Sequence, residues 1–284
     1  MIRSLPNSRA YSWSFNGFIL LYFAFLFAPL LVTCVLAFNN SDFPSLPWYG
    51  FSLDWFTSAG PDRIGIFHDA GNLRAIWTSF QTAFFVSILC VVVGTCAAFL
   101  FEQEEFPFKG ALYFLMLAPL VIPGVILGIS ILLGANSAGM FLEDNLGLDL
   151  EILRPSFWLV VLGQFSFITT FVTLVVSARL RKFDRSLEEA ALNLGANRFE
   201  VIWHITLKFL RPAIIGSAAV AFLMSFENFN TTLFLVGSEP TLPINLYLQV
   251  RDGSTPVINA VSLLLIVGTS LLALVNLYFT KEKE

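Results

Sequence analysis

Six stretches of this chain each run past twenty residues, and a single charged side chain, Glu227, falls among them. They are Gly17 to Phe38, Ala75 to Phe101, Gly110 to Gly134, Pro155 to Ala178, Pro212 to Val236 and Pro256 to Phe279. A helix rises about 1.5 Å per residue and the hydrocarbon core of a bilayer is about 30 Å thick, so each block is long enough to cross it. A soluble fold has no way to hide so much apolar surface. The chain is 56% hydrophobic and 13% charged, against about 25% charged in an average soluble domain. In lipid every backbone N–H and C=O must be paired within the protein, which leaves helices or closed barrels. The blocks are continuous and lack the alternation of barrel strands. The expected fold is an all-α integral membrane protein with six transmembrane helices, organised as one membrane domain over residues 1–284.

With an even number of spans both ends share a side, and the side richer in Lys and Arg faces the cytoplasm. Arg3, Arg9, Lys109, the basic residues from Arg179 to Arg211, Lys281 and Lys283 fall on one side; Arg63, Arg74, Arg154 and Arg251 fall on the other. Both termini are therefore expected in the cytoplasm. A cleaved signal peptide is the competing reading of the first block, since Arg3 and Arg9 precede it and Val35-Leu36-Ala37 ends it on a small residue. Its length, the interior Pro29 and the further spans behind it favour a retained helix. Asn39 to Arg74 is the longest external segment, and its Pro, Gly and aromatic content points to ordered structure.

The net charge of -4 and the absence of a dense basic run argue against a nucleic-acid surface. Cys34, Cys90 and Cys96 all lie in apolar blocks, where they read as small hydrophobic residues. His68 and His204 fall on opposite sides of the membrane in this topology, which excludes a shared metal site. Paired acids or a Ser with a base, as an intramembrane enzyme needs, are not visible, so no catalytic residue is assigned. There is no G-x-x-x-x-G-K-[ST] loop, so this chain is expected to bind no ATP and no other cofactor.

Between the fourth and fifth blocks, residues 179–211 carry the main charged interruption. Ser186 with Glu189 three places on fits a capping box, and Asn197 with Glu200 repeats the signal for a second helix. Gly195 between them suits the left-handed residue that ends a helix. Leu187, Ala190, Ala191 and Leu194 share one face of the first helix, and Phe199, Ile202, Trp203 and Thr206 one face of the second. Those faces must press on the chain's own spans, the membrane surface or a partner.

Glu189-Ala190-Ala191, Gly195 after three residues, and Ile205-Thr206-Leu207 after nine more resemble the EAA loop of binding-protein-dependent ABC importer permeases. The pattern has Pro where this chain has Lys208, and Pro212 follows; the departure bears on how the second helix joins span five. The resemblance implies a type I importer permease fold whose cytoplasmic coupling helix seats in a cleft of an ATPase. Glu189, Ala190, Ala191, Gly195 and Leu207 are the implied coupling residues. Glu189 is either a capping partner or a charge offered to a basic ATPase residue, and the two are compatible. Asn39-Asn40-Ser41, Gly50-Phe51-Ser52-Leu53-Asp54-Trp55-Phe56 and Ala118-Pro119-Leu120-Val121-Ile122-Pro123 with Gly128-Ile129-Ser130 resemble the second permease subunit of spermidine/putrescine importers. Branches that carry other amines, opines, amino acids or ferric iron share much of this pattern. The resemblance implies a bacterial inner-membrane location, a sister permease, two copies of a cytoplasmic ATPase that hold ATP and Mg, and an external substrate-binding protein.

Glu227 is the ionisable residue well inside a predicted span, where a charge costs about 2.5–3.5 kcal/mol on insertion scales. A helix starting at Pro212 puts it roughly 22 Å along the axis, with Asn230 and Thr231 on the same face. It contacts a cationic substrate or packs against a neighbouring subunit. Ser225-Phe226-Glu227-Asn228 resembles the S-x-[DE]-[DN] stretch of polyamine permeases, which implies Glu227 and Asn228 in the substrate path; Asn230 and Thr231 are added as candidates by their helical spacing from Glu227. Pro119 and Pro123, with Gly124 and Gly128 behind them, interrupt span three, either for packing or to line a cavity. An ion-gradient-driven secondary transporter is the alternative of another class; it has no need of a docking helix.

Overall fold

The computed structural model describes residues 9–60, 63–253 and 255–281, with side chains between 11 and 271. Arg3 and Lys283 of the charge balance lie outside the described residues, as do the side chains of Arg9 and Lys281. The described chain is helical, with two isolated β-bridges, Asn39 to Phe51 and Ala59 to Ile64. The helices are α1 (Arg9–Leu36), α2 (Asp54–Thr57), α3 (Ala70–Gln103), α4 (Lys109–Val121), α5 (Gly124–Leu146) and α6 (Phe157–Leu180). They continue as α7 (Ser186–Asn193), α8 (Arg198–Val201), α9 (Leu207–Phe226), α10 (Thr232–Leu235), α11 (Leu242–Gly253) and α12 (Val257–Lys281).

Five described helices are long and apolar enough to cross a membrane: Tyr11–Leu36, Ala70–Gln103, Gly124–Leu146, Phe157–Leu180 and Arg198–Phe226. The sixth predicted block forms α12, 25 residues long. On α1 large apolar side chains face outward, Phe25 at 83% exposure and Leu20 at 70%. Such a surface belongs against lipid or another subunit.

Two predicted spans are corrected. Span three is not one helix from Gly110 to Gly134. Ile122 is extended (φ -72°, ψ 128°), as residues before proline tend to be, and Pro123 has no N–H to continue the ladder. Helix α4 therefore stops at Val121, and α5 restarts at Gly124 and runs to Leu146. Pro119 sits inside α4 and does not break it. Span five neither starts at Pro212 nor reaches Val236: Pro212 lies within α9, which ends at Phe226.

Contacts divide the chain into two compact units, Arg74–Tyr247 and the described parts of Met1–Leu73 with Leu248–Glu284. In the second of these, α12 packs on α1 and α2. The segment between α1 and α3 is ordered around Asn39, whose side chain is 1% exposed. Its Nδ2 donates to the carbonyls of Ser45 (3.3 Å) and Pro47 (3.1 Å), and its Oδ1 accepts from Tyr49 N–H (2.8 Å). Trp55 Nε1 donates to the Asn39 carbonyl at 3.0 Å. Asn39→Ala strands the Ser45 and Pro47 carbonyls and the Tyr49 N–H at a cost of about 1–3 kcal/mol. Limited proteolysis is expected to cut between residues 39 and 60 several-fold faster in that variant; an unchanged rate would mean the loop is held by other contacts.

In the Arg74–Tyr247 unit α6 is the central element, lying along α9 and touching α4 and α10. Val161, Ile168, Val172 and Val176 of α6 form a core with Val86 and Cys90 of α3 and Leu210 and Ala221 of α9.

Candidate functional site

The charged interruption folds as the helix pair that its sequence signals describe, with one cap reassigned. Helix α7 is not closed by a Ser186 and Glu189 capping box: its N-cap is Arg185, in helical conformation and with no side-chain cap bond. Asp184 lies one residue earlier and takes the Ser186 N–H at 3.0 Å. Hydrogen bonds from the Ser186 hydroxyl and N–H hold the Asp184 carboxyl below the usual carboxylate range. A depressed carboxylate lends its stabilisation above its ordinary value and loses it only as pH falls through the lowered one, so this turn is intact at neutral pH. The second box is present as read: Glu200 N–H donates to Asn197 Oδ1 and Asn197 N–H to Glu200 Oε2, both at 2.9 Å.

Gly195 has φ +93°. Around it Gly195 N–H bonds Leu192 O (3.0 Å) and Ala196 N–H bonds Ala191 O (3.1 Å). This is the Schellman pattern, which satisfies the orphan carbonyls at the end of α7.

The second helix does not end at Lys208. A π-helical turn, Ile202–Thr206, carries α8 straight into α9, and Leu207 N–H bonds Ile202 O. Lys208 thus sits in the first turn of a continuing helix, where a proline is not needed to redirect the chain. The turn presents the Thr206 hydroxyl, which is fully buried, to Glu188 Oε1, and the two are hydrogen-bonded. At the start of the loop Arg181 forks onto Glu102 at the end of α3, with Nε to Oε1 and Oε2 at 2.9 Å and a terminal nitrogen to Oε1 at 2.8 Å. Arg185 donates to the Glu102 carbonyl at 2.8 Å.

Glu188 and not Glu189 is therefore the acid that ties α7 to the membrane helix. The carboxylate of Glu189 is exposed and bonds nothing among the described residues. The apolar faces predicted for the pair are left open: Leu187 is 50% exposed, Leu194 89%, Phe199 73% and Trp203 59%. Thr206 is the exception on its face. Of the other predicted coupling residues, Ala190 is exposed, Ala191 is half-buried, and Leu207 is half-buried at the start of α9.

The second group sits where α9 breaks. Glu227 is the residue just past the helix end (φ -87°, ψ -1°), not a position within it. Asn230 and Thr231 consequently do not extend one helical face with it. Glu227 and Asn230 are exposed, Asn228 is half-buried and Thr231 is buried. The break has a local cause: Asn228 Oδ1 accepts from the Thr232 hydroxyl (2.9 Å) and N–H (3.2 Å), offering the backbone a bond other than the helical one. Ser225 and Thr232 on either side of it both bond Gln164 of α6. Gln164 and Thr232 were not singled out by sequence reasoning; a lone Gln in an apolar block was the available signal. Across the loop, α5 approaches through Gly128, where an added Cβ would lie 2.7 Å from the Thr231 carbonyl oxygen.

The sequence profile described as "Binding-protein-dependent transport system inner membrane component" matches residues 91–282. Putrescine transport system permease protein PotI of Escherichia coli (strain K12) is 31% identical over 94% of this chain and 90% of its own length. Spermidine/putrescine transport system permease protein PotC of Haemophilus influenzae is 25% identical over 95% of this chain and 97% of its own. A chain of a bacterial ABC transporter involved in the import of the acidic polysaccharide alginate superposes with a TM-score of 0.62 over 99% of both chains. At 14% identity that likeness is one of fold. The profile spans the uncovered helix pair and the interrupted helix, and the first relative spans nearly the whole chain; the chain belongs to the family of binding-protein-dependent transport system inner membrane components, and is a multi-pass transport subunit and not an enzyme.

Proposed function

We propose that this chain is the permease subunit of an ATP-driven ABC importer that moves a small cationic solute, a polyamine such as putrescine, into the cytoplasm. The observation that carries the coupling half is α7: one side is bonded through Glu188 to Thr206 at the root of α9, while Glu189, Leu187 and Leu194 stand uncovered. A rigid helix fixed to a membrane span and open on its outer face is suited to seat in an ATPase and carry its movement inward. In this reading both termini are cytoplasmic. A sister permease completes the pathway, two ATPase copies hold ATP and Mg, and an external binding protein delivers the solute.

The cargo half rests on Glu227 and on the names of the relatives, two of which are putrescine or spermidine/putrescine permeases. The carboxylate stands at a break in an apolar helix beside the amides of Asn228 and Asn230, with the hydroxyl of Thr231 buried next to them. One negative charge among neutral polar groups attracts an ammonium ion without holding it through multiple ion pairs. Glu227→Gln keeps shape and removes the charge. Labelled putrescine uptake in cells is expected to show an apparent KM raised about tenfold, a shift in keeping with the loss of one charge-assisted contact. Wild-type kinetics in this variant would remove Glu227 from the path.

A further inference from the structure

Gln164 is fully buried in the middle of α6, a helix made mostly of apolar residues. An unpaired side-chain amide there is costly. So is a helix broken within the hydrocarbon region, where backbone groups need partners from the protein. The two features meet. Gln164 Nε2 donates to Thr232 Oγ1 at 2.8 Å, on the first residue of α10. Its Oε1 accepts from the Ser225 hydroxyl, in the last turn of α9. Thr232 passes the bond on to Asn228 Oδ1 at 2.9 Å. One amide thus holds both stumps of the interrupted helix, and the segment from Phe226 to Thr231 spans between them.

The geometry points to Gln164 as a positioning residue of the translocation path. By clamping Ser225 to Thr232 it sets how far the intervening loop extends and where Glu227 and Asn230 are displayed. Its own side chain is enclosed and touches no solute. The transport consequence rests on the reading of this loop as the substrate path; the clamp itself does not. Gln164→Leu keeps a side chain of comparable size there but removes both bonds, so the stumps are no longer linked.

The test uses the complete transporter, purified in detergent, with Cys34, Cys90 and Cys96 replaced by serine or alanine. A reporter cysteine is placed at Asn230→Cys, and a second one at Leu148→Cys, exposed in the loop after α5 and away from both the break and the helix pair. The Gln164→Leu variant is expected to react with a charged methanethiosulfonate at position 230 about tenfold faster, as a local opening equilibrium shifts when two bonds are lost. The rate at position 148 is expected to stay within about twofold, since a global loosening is not involved. Ser225→Ala removes one arm and should move the rate the same way by a smaller factor; Thr232→Val removes the other arm together with the bond to Asn228 and should also accelerate it. They carry the test if Gln164→Leu does not assemble. Ser225→Ala added to Gln164→Leu should give no further increase, because the Ser225 hydroxyl acts through Gln164 alone among the described residues. An unchanged rate at 230, or an equal rise at 148, overturns the proposal. In cells, Gln164→Leu should also raise the KM for labelled putrescine. If the reporter accelerates and the uptake kinetics do not change, the clamp stands and the assignment of the loop to the substrate path falls.

Discussion

Gly195→Asp is expected to reduce uptake to background while the permease stays in the membrane at its normal level. The residue has φ +93° and nothing within 4 Å of an added Cβ, so the penalty comes from the backbone and not from a clash. An L-residue held in that region costs about 1–3 kcal/mol. Relaxing it breaks the bonds from Gly195 and Ala196 that close α7, and Asn197 begins the next cap two residues later. The negative charge also falls at the carboxyl end of α7, where the helix dipole opposes it. Helix α7 is then displaced relative to α8 and to the span it is tied to. Gly195→Asn, which tolerates a positive φ better, should keep several-fold more uptake than Gly195→Asp. Labelled putrescine uptake beside immunoblots of the membrane fraction measures both; normal uptake in Gly195→Asp would argue that force does not pass through this loop.

The second large effect is placed at the interrupted helix. In Gly128→Ala the new methyl group meets the Thr231 carbonyl oxygen at 2.7 Å and its Cα at 3.2 Å. Thr231 is 1% exposed and its neighbour Thr232 is held by Gln164, so that backbone has little room to retreat. Overpacking of this kind costs about 1–3 kcal/mol. The detergent-solubilised protein should aggregate at a lower temperature, and uptake should fall with it. Gly134, in the same helix, has nothing within 4 Å of an added Cβ. Gly134→Ala should therefore be neutral or gain up to about 1 kcal/mol of helix propensity. Equal losses at the two positions would mean that the close approach of α5 to the break is not what constrains Gly128.

The sequence made plain those features that depend on near neighbours or on the solvent. Blocks without charge gave the helices, because lipid imposes the requirement residue by residue. Gly195 and the Asn197 and Glu200 box were readable because each signal is complete within four residues. What stayed hidden was set by contacts between distant segments. Ser186 and Glu189 have the right spacing for a cap, yet Asp184 takes the Ser186 N–H and the neighbouring acid, Glu188, is drawn to Thr206. Glu227 was read inside a helix because apolar residues continue to Val236. The helix ends before it, where Asn228 takes the Thr232 hydroxyl and N–H, and the two stumps are bridged by Gln164, more than sixty positions earlier in the chain. In the helix pair the apolar stripes were visible, but whether other segments cover them is decided by tertiary packing, and the described chain leaves them open.

The most direct measurement reconstitutes this chain with its sister permease and ATPase in proteoliposomes, with binding protein and labelled putrescine on the face opposite α7. Uptake should require ATP and Mg on the α7 face, should persist when pH and sodium gradients are collapsed, and should be lost with Gly195→Asp. Uptake driven by an ion gradient without ATP, and indifferent to that substitution, would contradict the account and identify a secondary transporter.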